Sequence, residues 1–169
     1  MNEFEQRKKD LLQPIYFEAG AALFDCQSFE YGIAYLLYLF SRFGVNNLDT
    51  SLTTSIIDNE EIMTAGQLIK LLKKHVNVSG GIEENLATAL KARNKLIHRY
   101  LIENVERLAD PKEHENLVIE IRALRSTVRQ SHKQLEPFVK AMAEMLDGLS
   151  IDEFASDAKT QFMSDTREH

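Results

Sequence analysis

The chain has 169 residues, of which 44% are hydrophobic and 27% charged, with a formal net charge of −6 and a single cysteine, Cys26. This balance suits one globular domain with a sizeable core. It excludes an intrachain disulfide and a thiolate metal cluster, and the lone cysteine fits a reducing compartment. The acidity argues against a surface that grips nucleic acid broadly, but it leaves room for a small, locally positive site.

The opening "MNEFEQRKKD" is charged and has no apolar core of the kind a secretory signal carries. Pro14 is placed to open a long first helix, because a proline at the first helical position forfeits no needed hydrogen bond. That helix is expected to reach Phe43, with Gly44 as its stop. Its most apolar run is free of charge only between Glu30 and Arg42, whereas a membrane span needs roughly 18 such residues. The expectation is therefore a core helix in a cytoplasmic protein.

Residues 45–63 are rich in Ser, Thr, Asn and Asp, which predicts either a short helix or a flexible lid. Thr64 followed by Gln67 has the spacing of a capping box and opens a second periodic helix. His75, near the end of that helix, is placed to interact with its dipole, and "NVSGG" ends it. A third helix is predicted from Ile82 to Leu108, stopped by "ADP", and a fourth from Lys112 to Asp147, ended by Gly148. Along the fourth, Leu117, Ile121, Leu124, Val128, Leu135, Phe138, Met142 and Met145 form one apolar seam. The predicted fold is all-α: an up-and-down bundle of four major helices in a single domain over residues 1–149. A short helix and polar tail follow over 150–169.

The third helix contains "KARNKLIHRY", residues 91–100. At about 100° per residue, Ile82, Leu86, Ala89, Leu90, Ile97 and Tyr100 share one side, and Arg93 falls among them. Asn94 and His98 are four apart and neighbour each other on the flank of this stripe. Arg93 and His98 lie about 140° apart on an ideal helix, so the contact requires the arginine to turn towards the histidine. A buried guanidinium cannot lose its proton and needs a carboxylate, a wet cleft or a bound anion. Glu18 and Asp25 on the first helix are candidate partners for a purely structural salt bridge. The alternative is chemical. Arginine can hold a phosphate and stabilise transition-state charge, and histidine can carry a proton between a ribose 2′-hydroxyl and a leaving oxygen. Asn94 would bind the phosphate or fix the imidazole, and Lys95 and Arg99 would add phosphate or RNA contacts. One imidazole supplies one proton carrier, so two copies of this face meeting across a twofold axis would provide an acid and a base together.

The run Arg93-Asn94-Lys95-Leu96-Ile97-His98 resembles the R-x(4–6)-H signature of the HEPN superfamily (higher eukaryotes and prokaryotes nucleotide-binding). With Arg99 and Tyr100 it becomes R-x-x-x-x-H-x-Y, which is similar to the HepT-like toxins of toxin–antitoxin pairs. The resemblance implies a helical bundle that dimerises with the motif at its interface. It also implies metal-independent endoribonuclease activity, without a cofactor, in a toxin or antiviral-defence role. Arg93 and His98 are then catalytic and Asn94 supporting. Tyr100 becomes the residue that a minimal nucleotidyltransferase antitoxin would cap with adenylate, although its place on the stripe equally makes it a core residue. The competing reading is a non-catalytic helical module that uses the same face for a partner or a nucleotide. A dimetal site of the ferritin kind is rejected, because Glu18, Asp25 and Glu30 are not accompanied by the Glu-x-x-His pairs it needs.

Overall fold

The first forty residues with described structure, rich in Glu, Lys, Gln, Leu and Ala, form one helix, α1, from Glu3 to Arg42. The structure, a computed structural model, describes the backbone of residues 3–147 and the side chains of 11–146. The expected stop at Gly148 and the tail helix from Ile151 lie outside those residues. Pro14 does not open α1 but sits inside it. It is exposed, so the carbonyl that loses its donor can turn to water, and strong helix formers on both sides carry the helix past it. Gly44 ends α1 as expected, at φ 67°, where a side chain would be strained.

The polar segment after Gly44 is ordered. A 3₁₀ turn at Val45–Asn47 precedes α2, Thr50–Ile57, which Asp49 caps by accepting from the Ser51 amide. Thr53 is buried, with its hydroxyl 2.6 Å from that of Ser41, and this bond seats α2 on the end of α1. Helix α3, Ala65–His75, opens on the Thr64–Gln67 capping box that the spacing predicts. At its end His75 joins the 3₁₀ turn: its carbonyl accepts from Asn46, and its Nδ1 lies 3.1 Å from the Asn46 carbonyl oxygen.

The expected third helix is not continuous. Helix α4 runs from Gly80 to His98, and Arg99 departs from helical geometry at φ −132° and ψ −35°. Two short pieces follow, α5 at Tyr100–Glu103 and α6 at Val105–Ala109. Side chains that bond locally compete with the helix here. Asn104 donates to the Tyr100 carbonyl at 2.7 Å, and Arg107 binds Asn104, Glu113 and Glu120. A 3₁₀ turn at Pro111–Glu113 then leads into α7, His114–Asp147. The apolar seam of α7 is buried at Leu117, Ile121, Val128 and Leu135, but Phe138 and Met145 face outward.

Among the described residues the chain is all helix, and no helix is long and apolar enough to cross a membrane. The direction of the long helices differs from a four-helix alternation. Arg122 pairs with Glu18, Arg129 with Asp25, and His132 lies against Gly32, so α7 runs parallel to α1. Helix α4 opposes both, because Arg93 meets Glu30 while Tyr100 packs with Ile15 and Ala22, and Asn85 meets Gln134. The short α2 runs back along α1 and thereby adds one reversal, which turns the last helix round. The core divides into a larger cluster around Phe29, Ile33, Leu37, Leu72, Leu86 and Val128, and a smaller one around Ile15, Tyr100, Leu117 and Ile121.

Buried acids on α1 tie it to α7. Glu18 accepts from Arg122 at 2.7 Å and from Arg125 at 2.9 Å, and Asp25 pairs with Arg125 and Arg129. Burial pushes the Glu18 carboxyl up, but the bonds and charges of Arg122 and Arg125 outweigh it and hold it below its ordinary value of 4.5. A depressed folded-state value contributes stability that is complete above the unfolded value and is lost as pH falls through the folded one. Urea unfolding midpoints should therefore fall as pH drops below about 4.5. Glu18→Gln should be less stable than wild type at pH 7 and should show a shallower acid decline. An unchanged acid limb in that variant would remove Glu18 from the account.

Candidate functional site: an Arg–His cleft

The cleft is walled by the last turns of α4, the first turn of α3 and the end of α5. It has a volume of about 760 Å³ and is open to solvent. Thr64 and Gly66 come from the α3 side, Glu103 from α5, and Leu90, Lys91, Arg93, Asn94, Lys95, His98 and Arg99 from α4 and its end. Five of the six residues expected at the site therefore line one cavity. Four cationic side chains, Lys91, Arg93, Lys95 and Arg99, make it locally positive in an acidic chain.

Arg93 is the residue around which the cleft is organised. Its side chain is 13% exposed and lies where α4 crosses α1. The carboxylate it meets is neither Glu18 nor Asp25 but Glu30, whose Oε1 accepts from Nε at 2.5 Å. The correction follows from helix direction. With α7 parallel to α1, arginines of α7 take Glu18 and Asp25, and α4 crosses one turn further along, at Glu30. The other end of the guanidinium turns outward: Nη1 donates to Asn94 Oδ1 at 3.1 Å and lies 2.9 Å from His98 Nε2. The angular gap of an ideal helix is thus bridged by the length of the arginine.

Arginine carries only donors, so a hydrogen bond at this contact has Nε2 of His98 as its acceptor, which corresponds to the tautomer with its proton on Nδ1. An imidazole nitrogen, an amide oxygen and a guanidinium therefore meet at one point of the cleft wall. His98 itself is exposed, as are Asn94, Lys95 and Arg99.

Tyr100 is not brought into the cleft. The turn at Arg99 carries it inward, where it is 1% exposed in the smaller core. Its hydroxyl donates to Glu120 Oε2 at 2.8 Å, and Arg107 holds the same carboxylate through both terminal nitrogens. Burial first, and then the bond to Glu120, push the phenol well above its ordinary range. Lys95 lies 5.8 Å from the ring centroid and covers it from the cleft side. Transfer of a nucleotide to this oxygen would require the tyrosine to leave Glu120.

Three neighbouring features matter less. Cys26, close to Arg93 and Glu30, is buried, and burial pushes its thiol up to about 11, so it is inert packing. Tyr31, Tyr35 and Tyr38 form a ladder along α1 with centroids 6.2 and 6.0 Å apart, so their faces meet one another. Among the described residues, no group of three or more His, Cys, Asp or Glu side chains could hold a metal ion. Glu30 is the site residue that sequence reasoning missed. Its only signal was a carboxylate in an otherwise apolar helix face, a signal Glu18 and Asp25 share.

Arg93→Ala should cost about 2 kcal/mol, more than a surface pair and less than a fully buried one, because it leaves a partly solvated Glu30 without its cation. His98→Ala, at an exposed position, should stay within about 0.5 kcal/mol of wild type in the same urea titration. Tyr100→Phe should cost about 1 kcal/mol through loss of the bond to Glu120. A neutral Tyr100→Phe would show that the phenol is not held as described.

No protein-family model, curated protein or solved structure matches this chain. What the cleft does must be read from its own side chains.

Proposed function

We propose that the protein is a metal-independent endoribonuclease of the HEPN type, a helical-bundle homodimer acting as a toxin or in antiviral defence. The observation that carries this reading is the 2.9 Å contact between Arg93 Nη1 and His98 Nε2 at the wall of an open, cationic cleft. In this reading Arg93 is the phosphate anchor and His98 the proton acceptor, and their closeness lets one ribose-phosphate unit reach both. The eight-residue pattern from Arg93 to Tyr100 supports the family assignment, and the all-helical chain agrees with it.

In this mechanism an RNA phosphate draws Arg93 off His98 and is held by the guanidinium, with Asn94 as a further donor. The freed Nε2 lone pair removes the proton of the ribose 2′-hydroxyl. The 2′-oxygen then forms its bond to phosphorus as the bond to the 5′-oxygen breaks. The leaving oxygen takes a proton from the imidazolium form of His98 of a second copy facing the same substrate, so the step ends with one imidazole protonated and the other neutral, their roles exchanged. The products are a 2′,3′-cyclic phosphate and a 5′-hydroxyl. Lys95 and Arg99, exposed on the same face, hold flanking phosphates. Stabilisation of the phosphorane charge by Arg93 and proton transfer by His98 are each terms of several powers of ten in rate. A nucleotidyltransferase antitoxin would silence the enzyme by adenylating Tyr100 once that side chain swings out of the core.

A second reading has its own observation. The Arg93–Glu30 pair by itself satisfies the charge of Arg93, and α1 exposes Tyr16, Phe17, Leu23 and Phe24 on one side. A non-catalytic helical module that binds a partner or a nucleotide would use those features alone.

The test is cleavage of labelled single-stranded RNA in EDTA, after intact-mass analysis for added adenylate. Wild type should release fragments ending in 2′,3′-cyclic phosphate, and His98→Ala should be slower by about 10²–10⁴-fold. A folded, unmodified wild type that leaves RNA intact would favour the binding module instead.

A further inference from the structure

Glu30 is separated from the Arg93–His98 motif by more than sixty positions and is part of no recognisable pattern, yet it touches the residue that organises the cleft. The way it does so is informative. Glu30 takes Nε, the nitrogen nearest the chain, as Glu18 does from Arg122 and Asp25 from Arg125, but here Nη1 is not given to a second acid: it is turned to Asn94 and His98. A fork held by its stem keeps its tines aimed. The carboxylate is itself well placed for this, being only 23% exposed and carried by the middle of a forty-residue helix.

The consequences reach the imidazole. Arg93 Nη1 can sit 2.9 Å from Nε2 only while the guanidinium plane is held at this angle, and that contact selects the Nδ1–H tautomer. If the stem is released, Arg93 has many rotamers available and only the 3.1 Å bond of Nη1 to Asn94 is left on α4 to hold it towards His98, which lies about 140° away around the helix. Building on the ribonuclease reading, we infer that Glu30 is a positioning residue of the site: by holding Arg93 through Nε it sets the His98 tautomer that presents a free base to the 2′-hydroxyl. The active constellation then spans two helices, α1 and α4, rather than one.

Two conservative substitutions separate this role from a plain salt bridge. Glu30→Gln keeps the length and an oxygen that can accept from Nε but removes the charge. Glu30→Asp keeps the charge but withdraws the carboxylate by one methylene, which should draw Arg93 away from His98. The tautomer is read from ¹⁵N spectra of the His98 ring, assigned by its absence in His98→Ala. This readout does not depend on cleavage. Wild type and Glu30→Gln should show a protonated Nδ1 and a free Nε2, whereas Glu30→Asp should move towards the Nε2–H form. In the RNA assay kcat should fall about 100-fold in Glu30→Asp, as expected for misplacement by an ångström, and far less in Glu30→Gln. The reverse order, with Asp behaving as wild type and Gln impaired in both readouts, would overturn the inference and leave only a charge pair. An unchanged tautomer in both variants would overturn it too. If the tautomers follow the expected pattern while wild type cleaves no RNA, the positioning chain stands and the ribonuclease reading falls.

Discussion

Three carboxylates on the inward side of α1 are the constraint on which this fold depends. Glu18, Asp25 and Glu30 lie among Ile15, Ala22, Phe29 and Ile33, where a charge left unpaired would cost several kcal/mol. Each is answered by arginine, and the answers come from different helices: Arg122, Arg125 and Arg129 of α7 for the first two, Arg93 of α4 for the third. Apolar packing alone tolerates a helix sliding by a turn. Guanidinium–carboxylate pairs do not, because a one-turn slip leaves buried charges facing carbon. The acids of α1 therefore act as a ruler against which α4 and α7 are set, while the reversal at α2 decides that α7 runs in the same direction as α1.

The cleft is a by-product of that ruler. Where the arginines of α7 are consumed by their acids, Arg93 meets Glu30 through Nε and extends its far end past the edge of α4. The helix then stops at His98, and the turn at Arg99 opens the wall on that side. Continuing α4 as a helix would carry Glu103 and Arg107 along its axis. Instead Arg107 folds onto Glu113 and Glu120, and Tyr100 is pinned beneath the cleft floor. On the other side the capped start of α3 closes the cavity with Thr64 and Gly66. A chain of net charge −6 thus gathers four cationic side chains, one of them paired with Glu30, along one cleft.

The same arrangement divides two neighbours in the motif. His98 is the last helical residue, exposed and joined to Arg93, while Tyr100, two positions on, is among the most buried side chains in the protein. The guanidinium stands against Nε2 of the imidazole, so anything that reaches that nitrogen must first displace Arg93.

Much of this was legible in the residues themselves. The helical class, the capping box at Thr64, the stop at Gly44 and the inward lean of Arg93 all follow from spacing, caps and the energy of a buried guanidinium, which are local properties. Asn94 and His98 could be placed beside each other because four residues make about one helical turn. Direction and partnership could not be read in this way. Whether Arg93 meets Glu18, Asp25 or Glu30 depends on which helix crosses α1 at which height, and that depends on the extra reversal supplied by α2. The break after His98 was equally hidden, since a helix-period pattern through Tyr100 and Leu108 says nothing of Glu120, which reaches across from α7 to hold the turn. Periodicity along one chain fixes which face turns inward. Only the assembled helices decide what that face meets, because ion-pair partners more than sixty residues apart are chosen by register and not by sequence distance.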